Sequence, residues 1–315
     1  MIHVRGLSQS LAFVLLLLGL RADAYNQHLL NGFDLSGASI PEAAIEKGGP
    51  PRDGIPSLDS PRFEAAAQAT DMTPDARVLG LVIDGIAKAY PIAILNWHEL
   101  VNDHFGGQRV IVSYCPLCGT GMAFSSRAAG RELEFGVSGL LYNSDVLLYD
   151  RQTHSLWSQI LGSAVTGLLR GTRLEPLVLA HTDWQDWRRR HPDTRVLSRD
   201  TGFRRDYDRN PYLGYDSRPS LFFDVAHQDP RYPNKEWVLG IEVDGRFRAY
   251  PFSELVRAGG RVRERFAGRL LEVRYDAATR SARVFDERQR ELPAITAFWF
   301  AWVAFHPDTA VFKVQ

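Results

Sequence analysis

The sequence is poor in cysteine: Cys115 and Cys118 are the only two among 315 residues. A closed tetrahedral metal site needs four ligands, so a site built from cysteine alone is excluded and must borrow other side chains. Charge of one sign is lacking too. Lysine plus arginine and aspartate plus glutamate each number 37, which leaves no basic field to hold a nucleic acid. Long apolar runs are missing after residue 24, so the mature chain offers no candidate membrane span. There is no Gly-x-Ser-x-Gly elbow, P-loop, dinucleotide fingerprint or His-Glu-x-x-His helix, which counts against the common hydrolase and nucleotide-dependent classes.

What is present begins with a leader. His3 and Arg5 precede an apolar run from Leu11 to Leu20, and Ala22-Asp23-Ala24 forms a small-x-small cleavage site. Residues 1–24 therefore read as a secretory signal peptide, its apolar run too short to span a bilayer. This predicts export to the periplasm or beyond. Residues 25–77 read as an extended N-terminal arm, because Gly48-Gly-Pro-Pro-Arg-Asp-Gly-Ile-Pro56 and Asp59-Ser-Pro61 hold too many locked φ angles for regular ladders. Ile40, Ile45, Ile55, Leu58 and Phe63 argue that the arm docks, with a short helix expected around residues 63–68.

From Val78 the pattern becomes regular and then repeats. Val78-Leu-Gly-Leu-Val-Ile-Asp-Gly-Ile-Ala-Lys-Ala-Tyr-Pro91 aligns without gaps on Val238-Leu-Gly-Ile-Glu-Val-Asp-Gly-Arg-Phe-Arg-Ala-Tyr-Pro251. Phe105, Gly107, Val112 and Tyr114 match Phe266, Gly268, Val273 and Tyr275. Trp184-x-x-Trp187 with His191-Pro-Asp-Thr194 matches Trp299-x-x-Trp302 with His306-Pro-Asp-Thr309. Asp-Gly between two strand patterns is a two-residue hairpin signal, and Pro after Tyr suits the first turn of a helix. The tryptophans, three apart, share one buried helical face, while His191 and His306 stand where imidazoles can satisfy terminal carbonyls. The expected fold is α+β, mainly antiparallel β with short helices, in an internally duplicated two-lobed architecture. Residues 78–198 form the first lobe, 238–315 the second, and 199–237 a connector whose tyrosines and arginines either line a cleft or make a salt-bridged crossover.

The duplication isolates the cysteines. Tyr114-Cys115 corresponds to Tyr275-Asp276, and Cys118 has no counterpart, so the thiols are an addition to the scaffold. Three chemistries suit Cys115-Pro-Leu-Cys118-Gly. A metal-binding knuckle would aim both thiolates at zinc or copper, with further ligands from His98, Glu99, His104, Met122 or His154, of which His98 and Glu99 are best placed. A thiol–disulfide exchanger would use Cys115 as nucleophile, Cys118 as resolving thiol and His98 as base, though Gly119-Thr-Gly121 breaks the helix a thioredoxin domain needs. A structural Cys115–Cys118 disulfide is the third, closing a small ring of modest stabilising effect.

The first copy also carries an insertion. Phe135–Asp150 reads as strand, turn, strand, followed by Thr153, Ser155, Trp157, Ser158 and Gln159. Tyr142, Asp150, Arg151, Trp157 and Gln159 supply fixed donors, acceptors and aromatic faces suited to a small-molecule cleft. Asp150 and Arg151 point to opposite faces of a strand, so each needs some other partner.

Arg52-Asp-Gly-Ile-Pro56, Arg/Lys-Ala-Tyr-Pro, His98-Glu99 with Asn102-Asp103, Tyr114-Cys-Pro-Leu-Cys-Gly119, Ser138-Gly-Leu-Leu-Tyr142 and Tyr149-Asp-Arg-x-Thr-x-Ser-Leu-Trp-Ser-Gln159 together resemble a bacterial family catalogued as domain of unknown function 3179. The resemblance spans most of the mature chain and implies an exported bacterial protein, without lending an activity. Two functions stay open. One is a metal- or thiol-dependent redox site at Cys115 and Cys118 beside a small-molecule cleft. The other is a non-enzymatic periplasmic module that binds a small molecule or a protein partner.

Overall fold

The computed structural model describes residues 28–314; the expected signal peptide lies outside them. The chain is mostly antiparallel β with few short helices, arranged as a five-bladed β-propeller. One blade orders its strands Leu179–Asp183, Arg77–Ile83, Ile86–Pro91, Arg195–Leu197 and Phe63–Ala65. A second is the meander Leu100–Phe105, Gln108–Cys115 and Thr120–Ser125. A third is built on the hairpin Phe135–Tyr142 and Asp145–Asp150, flanked by Leu156–Ser158, Ser163–Ala164 and Ile45–Lys47. The fourth holds Ile295–Phe298, Trp237–Val243, Arg246–Pro251 and Ala310–Val311, and the fifth is Arg261–Phe266, Arg269–Asp276 and Ser281–Phe285. Among the described residues no helix is long and apolar enough to cross a membrane.

This overturns the two-lobed expectation. Each copy of the repeat supplies two blades, and the insertion supplies a blade of its own. The unit of sequence is therefore larger than the unit of structure. Nor do the copies keep separate cores: Leu100, Cys115 and Phe124 pack in one cluster with Ala297, Phe298 and Phe300. Phe298 N–H donates to the Cys118 carbonyl at 2.9 Å, joining the fourth blade to the first copy through the backbone.

The repeated residues explain why the blades form. Asp84-Gly85 and Asp244-Gly245 have φ of 49° and 80°, and 49° and 74°, the left-handed pair that closes a two-residue hairpin with the strand twist. The pairings Val78 with Pro91 and Val238 with Pro251 then match in register. Trp187 and Trp302, on the helices Trp184–Arg190 and Trp299–Phe305, lie flat on Gly80 and Gly240; a Cβ there would stand 2.2 Å from either indole. Each indole N–H donates at 2.9 Å to the threonine that ends its motif, Thr194 or Thr309. His191 and His306 do not cap carbonyls with their rings as expected. They pack at a tilt against Trp187 and Trp302, with ring centroids 4.2 Å apart, and only their backbone N–H groups close the helix ends.

The arm stitches blades together. Ile45–Lys47 pairs with the third blade and Phe63–Ala65 with the first, so the expected helix near Phe63 is instead an edge strand, because a free ladder edge beside Arg195–Leu197 satisfies its backbone. A buried ion pair ties the first two blades. Lys88 Nζ donates to both oxygens of Asp103 at 2.8 and 2.9 Å, and Tyr90 Oη donates to Asp103 at 2.6 Å. In the second copy Arg248 and Glu264 take the same positions.

Gly240→Ala should destabilise the protein by about 1–3 kcal/mol in chemical denaturation, because the added methyl drives into the Trp302 ring. Gly107→Ala, which has open space at the added carbon, should change little. Lys88→Met should cost about 3–5 kcal/mol by stranding a buried carboxylate, and Lys88→Met/Asp103→Leu should recover most of that loss. Equal stability of the single and double variants would refute the pairing argument.

Candidate functional site

Cys115 ends one strand of a meander and pairs with Thr120 on the next, so Pro116-Leu117-Cys118-Gly119 is the loop between them. Gly119 sits at φ +64°, where a Cβ would also meet the Trp237 ring at 2.6 Å. The turn and the indole together leave room only for glycine. Both thiols are buried and free, with Cys118 fully enclosed.

The third blade brings the group that completes the site. Asn143 and Ser144, at φ 53° and 62°, form a two-residue hairpin turn between Tyr142 and Asp145. Its tip is pinned by side chains. Asn143 Nδ2 donates to the Ala304 carbonyl at 3.1 Å, its Oδ1 accepts from Ala226 N–H at 2.8 Å, and Ser144 Oγ donates to the Phe223 carbonyl at 2.9 Å. The Ser144 carbonyl thereby faces the thiols, 3.3 Å from Cys118 Sγ and 3.7 Å from Cys115 Sγ. One ligand atom each from Cys115, Cys118 and Asp145 lies within 4.8 Å of the others, and all three residues are buried. Asp145 Oδ2 accepts from Ile160 N–H at 3.1 Å, while Oδ1 is buried with no hydrogen-bond partner among the described residues.

Electrostatics at this cluster is set by the absence of water. Burial pushes Asp145 up to about 7, against backbone N–H groups and thiol contacts that pull it down. Burial likewise raises both thiols, Cys118 well above its ordinary value. Glu99, left-handed at the end of helix Ile92–His98, is pushed up to about 8 by burial and accepts a long hydrogen bond, 3.5 Å, from Tyr212. Lys235 lies with Nζ 3.2 Å from the Tyr215 ring centroid and 4.7 Å from that of Phe300, and has no hydrogen-bond partner among the described residues. Burial lowers it to about 8, while both thiols pull in the opposite direction. A cavity of about 180 Å³ opens beside the loop, walled by Pro116, Tyr212, Tyr215 and Phe298.

The sequence candidates fall in several places. Cys115 and Cys118 come together, and Asp145 joins them. His98 is not in that group: its Nδ1 meets the Pro56 carbonyl at 2.8 Å and its Nε2 the Tyr207 hydroxyl at 2.7 Å, so both ring nitrogens are engaged. Gln159 donates to Ser113 Oγ at 2.9 Å and to the Thr120 carbonyl at 3.3 Å, which braces the strands that carry the cysteine loop. Asp150 is wholly buried and accepts from Trp157 Nε1 at 2.9 Å and from Thr153 N–H at 2.6 Å. Arg151 pairs with Asp59 at 2.8 Å, and Tyr142 stacks edge-on against Phe305. These partners are the protein's own. Asp145, Lys235 and Glu99 were not singled out together. The legible signal was Asp145 itself, an acid opening the apolar strand Val146-Leu147-Leu148 directly after an Asn-Ser turn.

Asn143→Gly keeps the turn geometry but removes both side-chain bonds that hold the tip. It should destabilise the fold by about 1–3 kcal/mol and raise the rate at which a thiol reagent titrates Cys115 and Cys118 under native conditions. An unchanged thiol rate would show that the tip does not shield the site.

No curated protein and no solved structure matches the chain. The family described as Protein of unknown function (DUF3179) matches residues 52–309, a span that holds every residue of the cluster, and the chain belongs to that family.

Proposed function

We propose that the protein is an exported metalloprotein in which Cys115, Cys118 and Asp145 hold a divalent ion, with its chemistry directed at a small molecule in the adjoining cavity. The observation that carries this reading is the buried, unpartnered Asp145 Oδ1 within 4.8 Å of two buried free thiols. A carboxylate oxygen with no donor is costly in an apolar core, and a cation supplies the missing partner. Charge supports the same assignment. Two thiolates and a carboxylate carry three negative charges, which a divalent ion and the Lys235 ammonium would balance.

The donor set favours zinc. Two soft sulfurs suit both zinc and cuprous copper, but an anionic oxygen is a poor ligand for cuprous ion and an ordinary one for zinc. Three protein ligands are also the pattern of catalytic rather than structural zinc, since the remaining position is left for water or substrate. Export is inferred from the leader-like residues 1–24 and agrees with a site loaded outside the cytoplasm.

The test is elemental analysis and thiol titration of protein purified from a periplasm. Stoichiometric zinc with two thiols protected until a chelator is added is the expected result. Asp145→Asn and Cys115→Ser, each checked for native circular dichroism, should weaken zinc binding by more than about 100-fold, beyond what loss of an outer-shell partner does. Metal-free protein that takes up no zinc, or whose thiols are already joined, would overturn the reading in favour of a ligand-binding module with a structural disulfide.

A further inference from the structure

The cavity beside the cysteine loop has a chemistry distinct from the cluster beneath it. Its walls include Arg77 and Arg280, which come from different copies of the repeat and meet only because the blades close on one another. The Arg77 guanidinium donates to the Thr279 carbonyl at 2.5 Å and to the Arg280 carbonyl at 3.4 Å. Both acceptors are neutral carbonyls; Asp183 is close enough to attract the guanidinium but makes no hydrogen bond to it among the described residues. Burial and the neighbouring Arg280 lower Arg77 to about 10, which still leaves it charged at neutral pH.

With them stands His181, which lines the cavity while only 7% exposed. Its Nδ1 is buried with no hydrogen-bond partner among the described residues. Burial, then the charges of Arg77 and Arg280, hold the ring well below its ordinary pKa, so the imidazole is neutral and presents one donor and one acceptor. The ring is packed edge-on between Tyr114 and Trp237, with centroids 6.3 and 5.7 Å away, so it cannot turn elsewhere for a partner. One carboxylate, Asp216, also lines the cavity and is exposed; its charge acts on Tyr114 and Lys235, and it makes no ion pair with either arginine among the described residues.

We propose that this cavity is a binding site for a small organic carboxylate, its oxygens facing Arg77, Arg280 and His181 and its apolar body lying against Trp237. Two guanidinium groups recognise a planar carboxylate with charge-assisted hydrogen bonds, and a neutral imidazole adds a donor without adding charge. The indole and phenol faces reward a flat apolar body, which separates this ligand class from inorganic anions. The assignment concerns the cavity alone and does not rest on the metal reading.

Benzoate is the probe, with benzamide as its neutral match, measured by isothermal titration on the purified chain and on its Cys115→Ser variant. Benzoate should bind both proteins and benzamide neither. Arg280→Gln, at an exposed turn position with an unchanged thermal melt as its control, should weaken benzoate at least about 10-fold, the scale of one lost charge-assisted contact. Absence of benzoate binding, equal binding of benzamide, or an Arg280→Gln variant that binds benzoate as tightly as the parent would each overturn the proposal. Because Cys115→Ser removes a thiol but no cavity wall, a parent protein that takes up no metal yet binds benzoate would sink the metal reading and leave this one standing.

Discussion

The hydrogen bond from Phe298 N–H to the Cys118 carbonyl is the contact on which the site depends. Cys118 lies in a loop, and a loop carbonyl buried in a protein core must find a donor or destabilise the fold. Here the local Thr120 hydroxyl donates at 3.2 Å, and the shorter bond comes from the last strand before the final tryptophan helix, far away in sequence. The backbone of the cysteine loop is fully engaged once the second copy has docked on the first. Gly119 makes the docking close, since Trp237 occupies the space a side chain would need. With that face sealed, water is excluded from the thiols, and their raised pKa values follow from the packing.

Around this contact, duplicated and unique elements divide the labour. The duplicated parts are mechanical. Gly80 under Trp187 and Gly240 under Trp302 set the seat of each helix, and Lys88 with Asp103 recurs as Arg248 with Glu264. The unique parts assemble the buried cluster and its surroundings: the thiols, the third blade that delivers Asp145, and the connector that delivers Tyr212, Tyr215 and Lys235. Asp276, which replaces Cys115 in the second copy, is exposed and accepts from the Ala278 backbone N–H at 2.9 Å, an ordinary turn contact. The same strand end is thus a turn cap in one blade and a buried thiol in another. What changed is the neighbour packed on it.

The local elements were legible in the sequence because their causes are local. Asp-Gly hairpins, helices opening after Tyr-Pro and the paired tryptophans all follow from φ preferences and side-chain spacing within a few residues. The propeller was not legible, because a repeat period of about 160 residues says nothing about how many sheets one period folds into, or whether copies share a core. Phe63 illustrates the limit. Its surroundings lack strand alternation, yet the open edge at Arg195–Leu197 recruits it. His98 and Asp145 illustrate the limit for the site. His98 lay one strand away from Cys115 in sequence order, but its ring turns toward Pro56 and Tyr207. Asp145 lies thirty residues beyond Cys115, and only the pinned Asn143-Ser144 turn brings its carboxylate back to the thiols.

Two unequal fields meet at the cysteine loop. Below it are Cys115, Cys118, Asp145 and the buried Glu99, acids whose ionisation burial opposes. Above it are Arg77 and Arg280, with a histidine kept neutral beside them. Water would screen the two from each other; the aromatic walls of Tyr114, Trp237 and Phe298 leave little room for it. A negatively charged ligand in the cavity is then drawn toward the arginines, because burial disfavours charge on the acids below. Loading the cluster with a divalent ion would displace the thiol protons and leave two thiolates, a carboxylate and the ion with one net negative charge, so metal occupancy supplies no positive field with which to tighten the ligand.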